Sequence, residues 1–142
     1  VTPLLPELYC RDLATSLSVY LGPLGFETLY ERTGFARLSH HGAELMLEEI
    51  TPDSWFAAPA APPFGRGVHF QIATPDAAAL HRDCRAADLP VFRQIEDAWY
   101  RAGDRYLGQR QFVVADPDGY LLRFAEPLGE ARHHPAEGRT VT

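Results

Sequence analysis

The order of secondary-structure signals in this chain runs twice. The first half reads as strand "LLPELYC", helix "DLATSLSVYLGPLG" and strands "FETLYER", "FARLSH" and "AELMLEE". The second reads as strand "GVHFQIAT", helix "PDAAALHRDCRAADLP" and strands near "VFRQIEDAWYR", "RQFVVAD" and "YLLRFAE". The strands alternate or are densely apolar, and each helix carries Leu and Ala at helical spacing after an aspartate, Asp12 or Asp76. Two βαβββ units in tandem predict an α+β fold of two similar modules. Between them "TPDSWFAAPAAPPFGR" carries Pro52, Pro59, Pro62 and Pro63, which forbid a regular element. The expected organisation is one domain over 1–142, with module one at 3–50, a linker at 51–66, module two at 67–128 and a fraying tail at 129–142.

Composition narrows the function classes. With 46% apolar and 23% charged residues the chain has the balance of a globular protein, and no apolar run approaches the ~20 residues of a membrane span. A formal charge of −6 disfavours a nonspecific hold on nucleic acid or anionic lipid and suits a cationic small molecule. The amino-terminal "VTPLLPELYC" does not read as a signal peptide, so the expected location is cytoplasmic, without membrane or nucleic-acid partners. Cys10 and Cys84, lacking metal-type pairing, are expected to be reduced packed thiols. Neither a phosphate loop nor a GxGxxG dinucleotide fingerprint is present.

The halves can be aligned from their own letters. Asp12 and Asp76 each open a helix, which makes Leu5 the counterpart of His69. "GAELMLEE" from Gly42 matches "GYLLRFAE" from Gly119, which makes Met46 the counterpart of Arg123. Alternation then puts Glu7 and Tyr9, Glu44, Met46 and Glu48, His69 and Gln71, and Arg123 on the mixed face of each sheet, opposite the apolar face that covers a helix. Tyr9, Met46, His69 and Arg123 are not the Lys, Glu and Thr of a merely solvated face, so the mixed faces are expected to line a cavity. Surface positions are expected for His40, His41, His133 and His134, and a surface ion pair for Arg110.

The paired βαβββ order, the Asp12-Leu13 opening with Ser16, "LGF", "GRGVHFQI" and above all "DPDGYLLRF" resemble the vicinal oxygen chelate superfamily, in its glyoxalase/bleomycin-resistance branch, over residues 3 to about 130. The resemblance implies an incompletely closed eight-stranded barrel around a cavity. It also implies one of two function classes: enzymes that hold a divalent metal with His and Glu, such as glyoxalases and extradiol dioxygenases, or metal-free dimers that sequester antibiotics. The family's metal positions fall on Leu5, Met46, His69 and Arg123. A borderline divalent ion wants three or four imidazole and carboxylate ligands, and a thioether, an aliphatic chain and a guanidinium do not supply them. A register slip of two residues would instead offer Glu7 and Glu48 beside His69.

The resulting expectation is a metal-free, cofactor-free homodimer that binds a cationic or aromatic small molecule such as bleomycin, which combines a flat bithiazole with a cationic tail. No catalytic residue is assigned. The expected ligand contacts are Glu7, Tyr9, Met46, Glu48, Trp55, Phe64, His69, Gln71, Trp99, Tyr100, Arg101 and Arg123. Glu44, Glu96 and Asp97 are further candidate partners for a cation, Phe56 adds to the linker aromatics, and Arg123 is expected to be neutralised by Glu48 or Glu44. Two alternatives stand beside this: a metal-dependent lyase or dioxygenase using Glu7, Glu48 and His69, and a binding module for another aromatic metabolite.

Overall fold

A computed structural model describes residues 2–142. Strand β1 (Glu7–Cys10), helix α1 (Leu13–Leu21) and strands β2 (Glu27–Arg32), β3 (Phe35–His40) and β4 (Ala43–Glu49) form the first βαβββ unit. The second consists of β5 (His69–Ala73), α2 (Ala77–Ala86), β6 (Val91–Ala102), β7 (Arg105–Ala115) and β8 (Leu121–Ala131). Their sheets have the same internal order, β1-β4-β3-β2 and β5-β8-β7-β6. Each first strand runs parallel to the last of its unit, and the remaining pairs are antiparallel. The sheets do not close on each other, in keeping with an incomplete barrel. Both helices start where an aspartate satisfies free amides: Asp12 accepts from the N–H groups of Ala14 and Thr15, and Asp76 from that of Ala79.

The tail departs from the sequence expectation. Strand β8 continues past Pro127, and Arg139–Val141 form a ninth strand, β9, that pairs in parallel with β6 through Ala98, Trp99 and Tyr100. Its formation follows from the free edge of β6, whose open N–H and C=O groups take a neighbouring segment even without hydrophobic periodicity in that segment.

One apolar core serves both units. Leu8, Leu45 and Leu47 from the first sheet and Ile72, Leu122 and Phe124 from the second join Tyr20, Leu24, Leu80 and Phe112 in a single buried cluster. Both thiols lie inside, and burial lifts Cys10 to about 12 and Cys84 to about 11, which favours the protonated thiol at each. The "DPDG" turn stitches the units together. Asp118, 2% exposed, accepts from the backbone and Nε of Arg11 at 3.1 and 2.9 Å and from Ser16 Oγ at 3.3 Å, while Tyr20 Oη donates to Asp116 at 2.9 Å. Gly119 closes the turn at φ +93°, with Pro63 so near that a Cβ would stand 2.5 Å from it.

His40, expected to face water, is a second such join. Its side chain is 2% exposed, set against Phe26 and Phe124, with Nε2 3.1 Å from Thr74 Oγ1 and Nδ1 3.3 Å from the Gly25 carbonyl. Alternation along β3 puts it on the face of Ala36 and Leu38, which is the core face. His41, beyond the strand, is exposed at φ 47°. The surface pair expected of Arg110 forms with Asp97, at 2.8 Å.

Candidate ligand-binding faces

The ladders give the alignment of the halves a direct test. Glu7 stands beside Met46 and Tyr9 beside Glu48 in the first sheet. Gln71 stands beside Arg123 and Ala73 beside Ala125 in the second. Glu7 and Gln71 are therefore equivalent, as are Met46 and Arg123, which fixes the register without a slip. Leu5 precedes β1 and His69 begins β5.

On the first face Glu7, Tyr9, Met46 and Glu48 come together. Hydrogen bonding to the Glu48 carboxyl, and then burial, raise Glu7 above the ordinary carboxylate value, so the two acids can share a proton. No guanidinium bridges to either carboxyl among the described residues, and the charge of Arg32 only partly opposes the rise of Glu7. Glu44 instead pairs with Arg37 at 2.9 Å and accepts from Thr2, which hold it below its usual value. The linker comes over this face through its aromatics. The ring of Phe56 lies 4.9 Å from that of Tyr9, and the backbone N–H of Trp55 donates to Tyr9 Oη at 3.0 Å. Trp55 itself is 87% exposed.

The second face carries a chain of side-chain hydrogen bonds. Arg123 Nη2 donates to Gln71 Oε1, Gln109 donates to both Gln71 and Gln111, and Gln111 donates to Tyr100 Oη at 2.6 Å and to Glu96 at 3.2 Å. Arg139 of β9 closes the chain with two bonds to Glu96, at 2.8 and 3.0 Å. Hydrogen bonding to Arg139 first, with help from Gln111, keeps Glu96 below the ordinary carboxylate range against the opposing effect of burial. Beside this network lies a cavity of about 250 Å³, lined by His69, Phe92, Tyr100, Leu121 and Arg123 among others.

Arg123 does not meet the partner expected for it. Glu44 and Glu48 belong to the other sheet and have partners there, so Arg123 has the neutral Gln71 and the Tyr100 ring, 6.0 Å from its guanidinium carbon. Its Nε is buried without a hydrogen-bond acceptor, an arrangement that costs about 1–3 kcal/mol.

Three other expected contacts lie elsewhere. Trp99 and Arg101 alternate with Tyr100 along β6 and so point to the opposite side. Trp99 lies across Gly108, where a Cβ would come within 2.5 Å of the indole, and Arg101 Nε donates to the Gly103 carbonyl. Phe64 is 8% exposed and packs between Phe56 and Tyr120 in the core cluster. Conversely, Gln109, Gln111 and Arg139 went unread as site residues. The two glutamines could have been found by extending the alternation from Arg123 to its neighbour strand, whereas Arg139 had no periodic signal.

The donor set does not suit a divalent ion. Among the described residues no three His, Cys, Asp or Glu converge on one point of the chain, and Leu5, Met46, His69 and Arg123 supply an aliphatic chain, a thioether, a single imidazole and a guanidinium. No described helix is long and apolar enough to cross a membrane.

Paired βαβββ units with one polar sheet face each define the class by fold and leave its chemistry open. The chain belongs to the Glyoxalase/Bleomycin resistance protein/Dioxygenase superfamily, whose family model matches residues 4–124. It is 24% identical over 129 residues to a bleomycin resistance protein of Geobacillus stearothermophilus, covering 87% of this chain and 96% of that one. Among solved structures, a bleomycin resistance determinant encoded on the transposon Tn5 superimposes with a TM-score of 0.59 at 20% identity, over 89% of this chain and 98% of that one. Lactoylglutathione lyase from Agrobacterium tumefaciens gives 0.58 at 21%, over 87% and 91%. A resistance determinant and a lyase thus share this fold about equally, and only the side chains discriminate.

Proposed function

We propose that the protein sequesters a flat, cationic small molecule of the bleomycin type, as a cytoplasmic homodimer, with neither metal nor turnover. The observation that carries this reading is the pair Glu7 and Glu48 on an open sheet face beside Tyr9 and Phe56. Two carboxyls to which no guanidinium bridges among the described residues attract a cation, and the two rings offer a stacking surface to a planar group. Trp55, exposed next to Tyr9, would extend that surface. The relatives named for bleomycin resistance support the choice of ligand. Sequestration needs affinity and stoichiometry only, so it asks of Glu7 and Glu48 their charge and not a proton transfer.

The adjacency of Glu7 and Glu48 also favours a second reading, a metal-dependent enzyme in which His69, brought by another copy, completes the ligands. The thioether of Met46 between the two acids and the guanidinium of Arg123 near His69 weigh against it. Metal content by mass spectrometry, after dialysis of untagged protein against zinc, nickel, iron and manganese, separates the readings. Below about a tenth of an equivalent of each metal, with saturable quenching of tryptophan fluorescence by bleomycin, is the expected result. Close to one tight equivalent, with no bleomycin binding, would overturn it in favour of the enzyme.

A further inference from the structure

The cavity on the second sheet has a chemistry opposite to that of the first face. Its lining carries three guanidinium groups, Arg93, Arg123 and Arg139, and one carboxylate, Glu96. Glu96 is already taken twice, by Arg139 at 2.8 Å and by Arg93 at 3.6 Å. Arg123 has no carboxylate in bridging distance among the described residues, gives one N–H to a neutral amide and leaves Nε without an acceptor. A half-buried guanidinium left in this state favours an anion, and its planar fork suits a carboxylate. The rest of the wall combines the polar His69, Gln94 and Gln111 with an apolar and aromatic part from Phe112, Val113, Leu121, Tyr100 and Phe92, the last 67% exposed at the mouth. At about 250 Å³ the space lies below the roughly 300–1,000 Å³ of pockets for drug-sized ligands, so it suits a molecule of one or two rings and not a glycopeptide.

We propose that this cavity is an anion subsite that takes a small planar aromatic carboxylate, with Arg123 holding the carboxylate and Tyr100, Phe92 and Leu121 holding the ring. Gln71 and the Gln109–Gln111–Tyr100 chain act as positioning residues, fixing the guanidinium and the phenol from behind. The site is independent of the sequestration reading, which rests on the carboxyls of the other sheet.

The test compares two probes of one shape, 2-naphthoate and the neutral 2-naphthamide, by isothermal titration calorimetry on the full chain. Wild type should bind the acid at least about tenfold more tightly than the amide, with an advantage that shrinks as sodium chloride is raised. Arg123→Gln should erase the preference, and Arg123→Lys should keep part of it. Equal affinity of wild type for the two probes, or a preference that survives Arg123→Gln in folded protein, would overturn the subsite. Should Arg123→Gln fail to fold by circular dichroism, the wild-type ratio and its salt dependence decide alone. Bleomycin titration in parallel keeps the conclusions apart: loss of the naphthoate preference with bleomycin binding intact sinks only the subsite, and the reverse sinks only the sequestration reading.

Discussion

The two mixed sheet faces share one backbone and differ in sign. Glu7 with Met46 on the first sheet and Gln71 with Arg123 on the second occupy the same rungs of the same parallel ladder. Yet among the described residues no guanidinium bridges to Glu7 or Glu48 on the first face, and no carboxylate bridges to Arg123 on the second. The repeat therefore fixes where side chains project and leaves open what they are, which is why one fold can carry a lyase and a resistance determinant. Core-facing positions have no such freedom. Leu8, Leu45 and Leu47 answer Ile72, Leu122 and Phe124, because both faces must fill one shared interior.

The largest effect should come from breaking the join that holds the faces in place. Asp118→Ala removes the acceptor of the Arg11 backbone, the Arg11 side chain and the buried Ser16 hydroxyl, and is expected to lower unfolding stability by about 3 kcal/mol in urea titrations. A loss below about 1 kcal/mol would mean that the turn is replaceable and the modules are held by apolar packing alone.

Next in size is a steric test of which side of the second sheet binds ligand. Gly108→Ala drives a methyl into the Trp99 indole and should cost about 1–3 kcal/mol while shifting the tryptophan emission, with affinity for bleomycin and naphthoate retained in the folded fraction. Loss of either affinity at full folding would return Trp99 to a binding role. A smaller effect is expected on the first face. Glu48→Gln should weaken bleomycin by about tenfold, bring the Glu7 carboxyl back toward its ordinary value in an NMR titration, and leave naphthoate untouched. Coupled losses of both ligands would show that the faces work as one site.

The same contrast explains what the sequence made legible. The two βαβββ orders, the register linking Met46 to Arg123 and the assignment of Glu7, Tyr9, Glu48, His69 and Gln71 to the mixed faces follow from period-two alternation and two repeated landmarks, both local signals. Ion partners are not local. Charge alone matches Arg123 to Glu48 or Glu44, but the two acids lie on a different sheet and charge carries no address. Strand β9 shows the same limit, since it forms on the open edge of β6 rather than from its own pattern, and with it comes Arg139. Trp99 and Tyr100 part for a simpler reason: neighbours in a strand point to opposite sides of the sheet.

The mildest test concerns His40, which touches both halves. Burial, with the neighbouring His41, depresses its pKa below the ordinary 6.5 despite the Gly25 carbonyl, so the folded protein keeps the ring neutral. Stability from this group is therefore complete above 6.5 and is lost as pH falls below 6.5 toward the folded value. Asp116 runs the other way. Its carboxyl is lifted by burial to about 6 from 3.8, so its contribution is complete below 3.8 and is lost as pH rises through about 6. Whole-protein curves mix the two, and a difference isolates one. His40→Phe keeps the aromatic contact with Phe26 and Phe124 but cannot titrate, so the stability gap between wild type and variant should narrow from about pH 7.5 to about pH 5.5. A gap independent of pH would mean that His40 is protonated as readily folded as unfolded, and that the seam between the two halves is open to water.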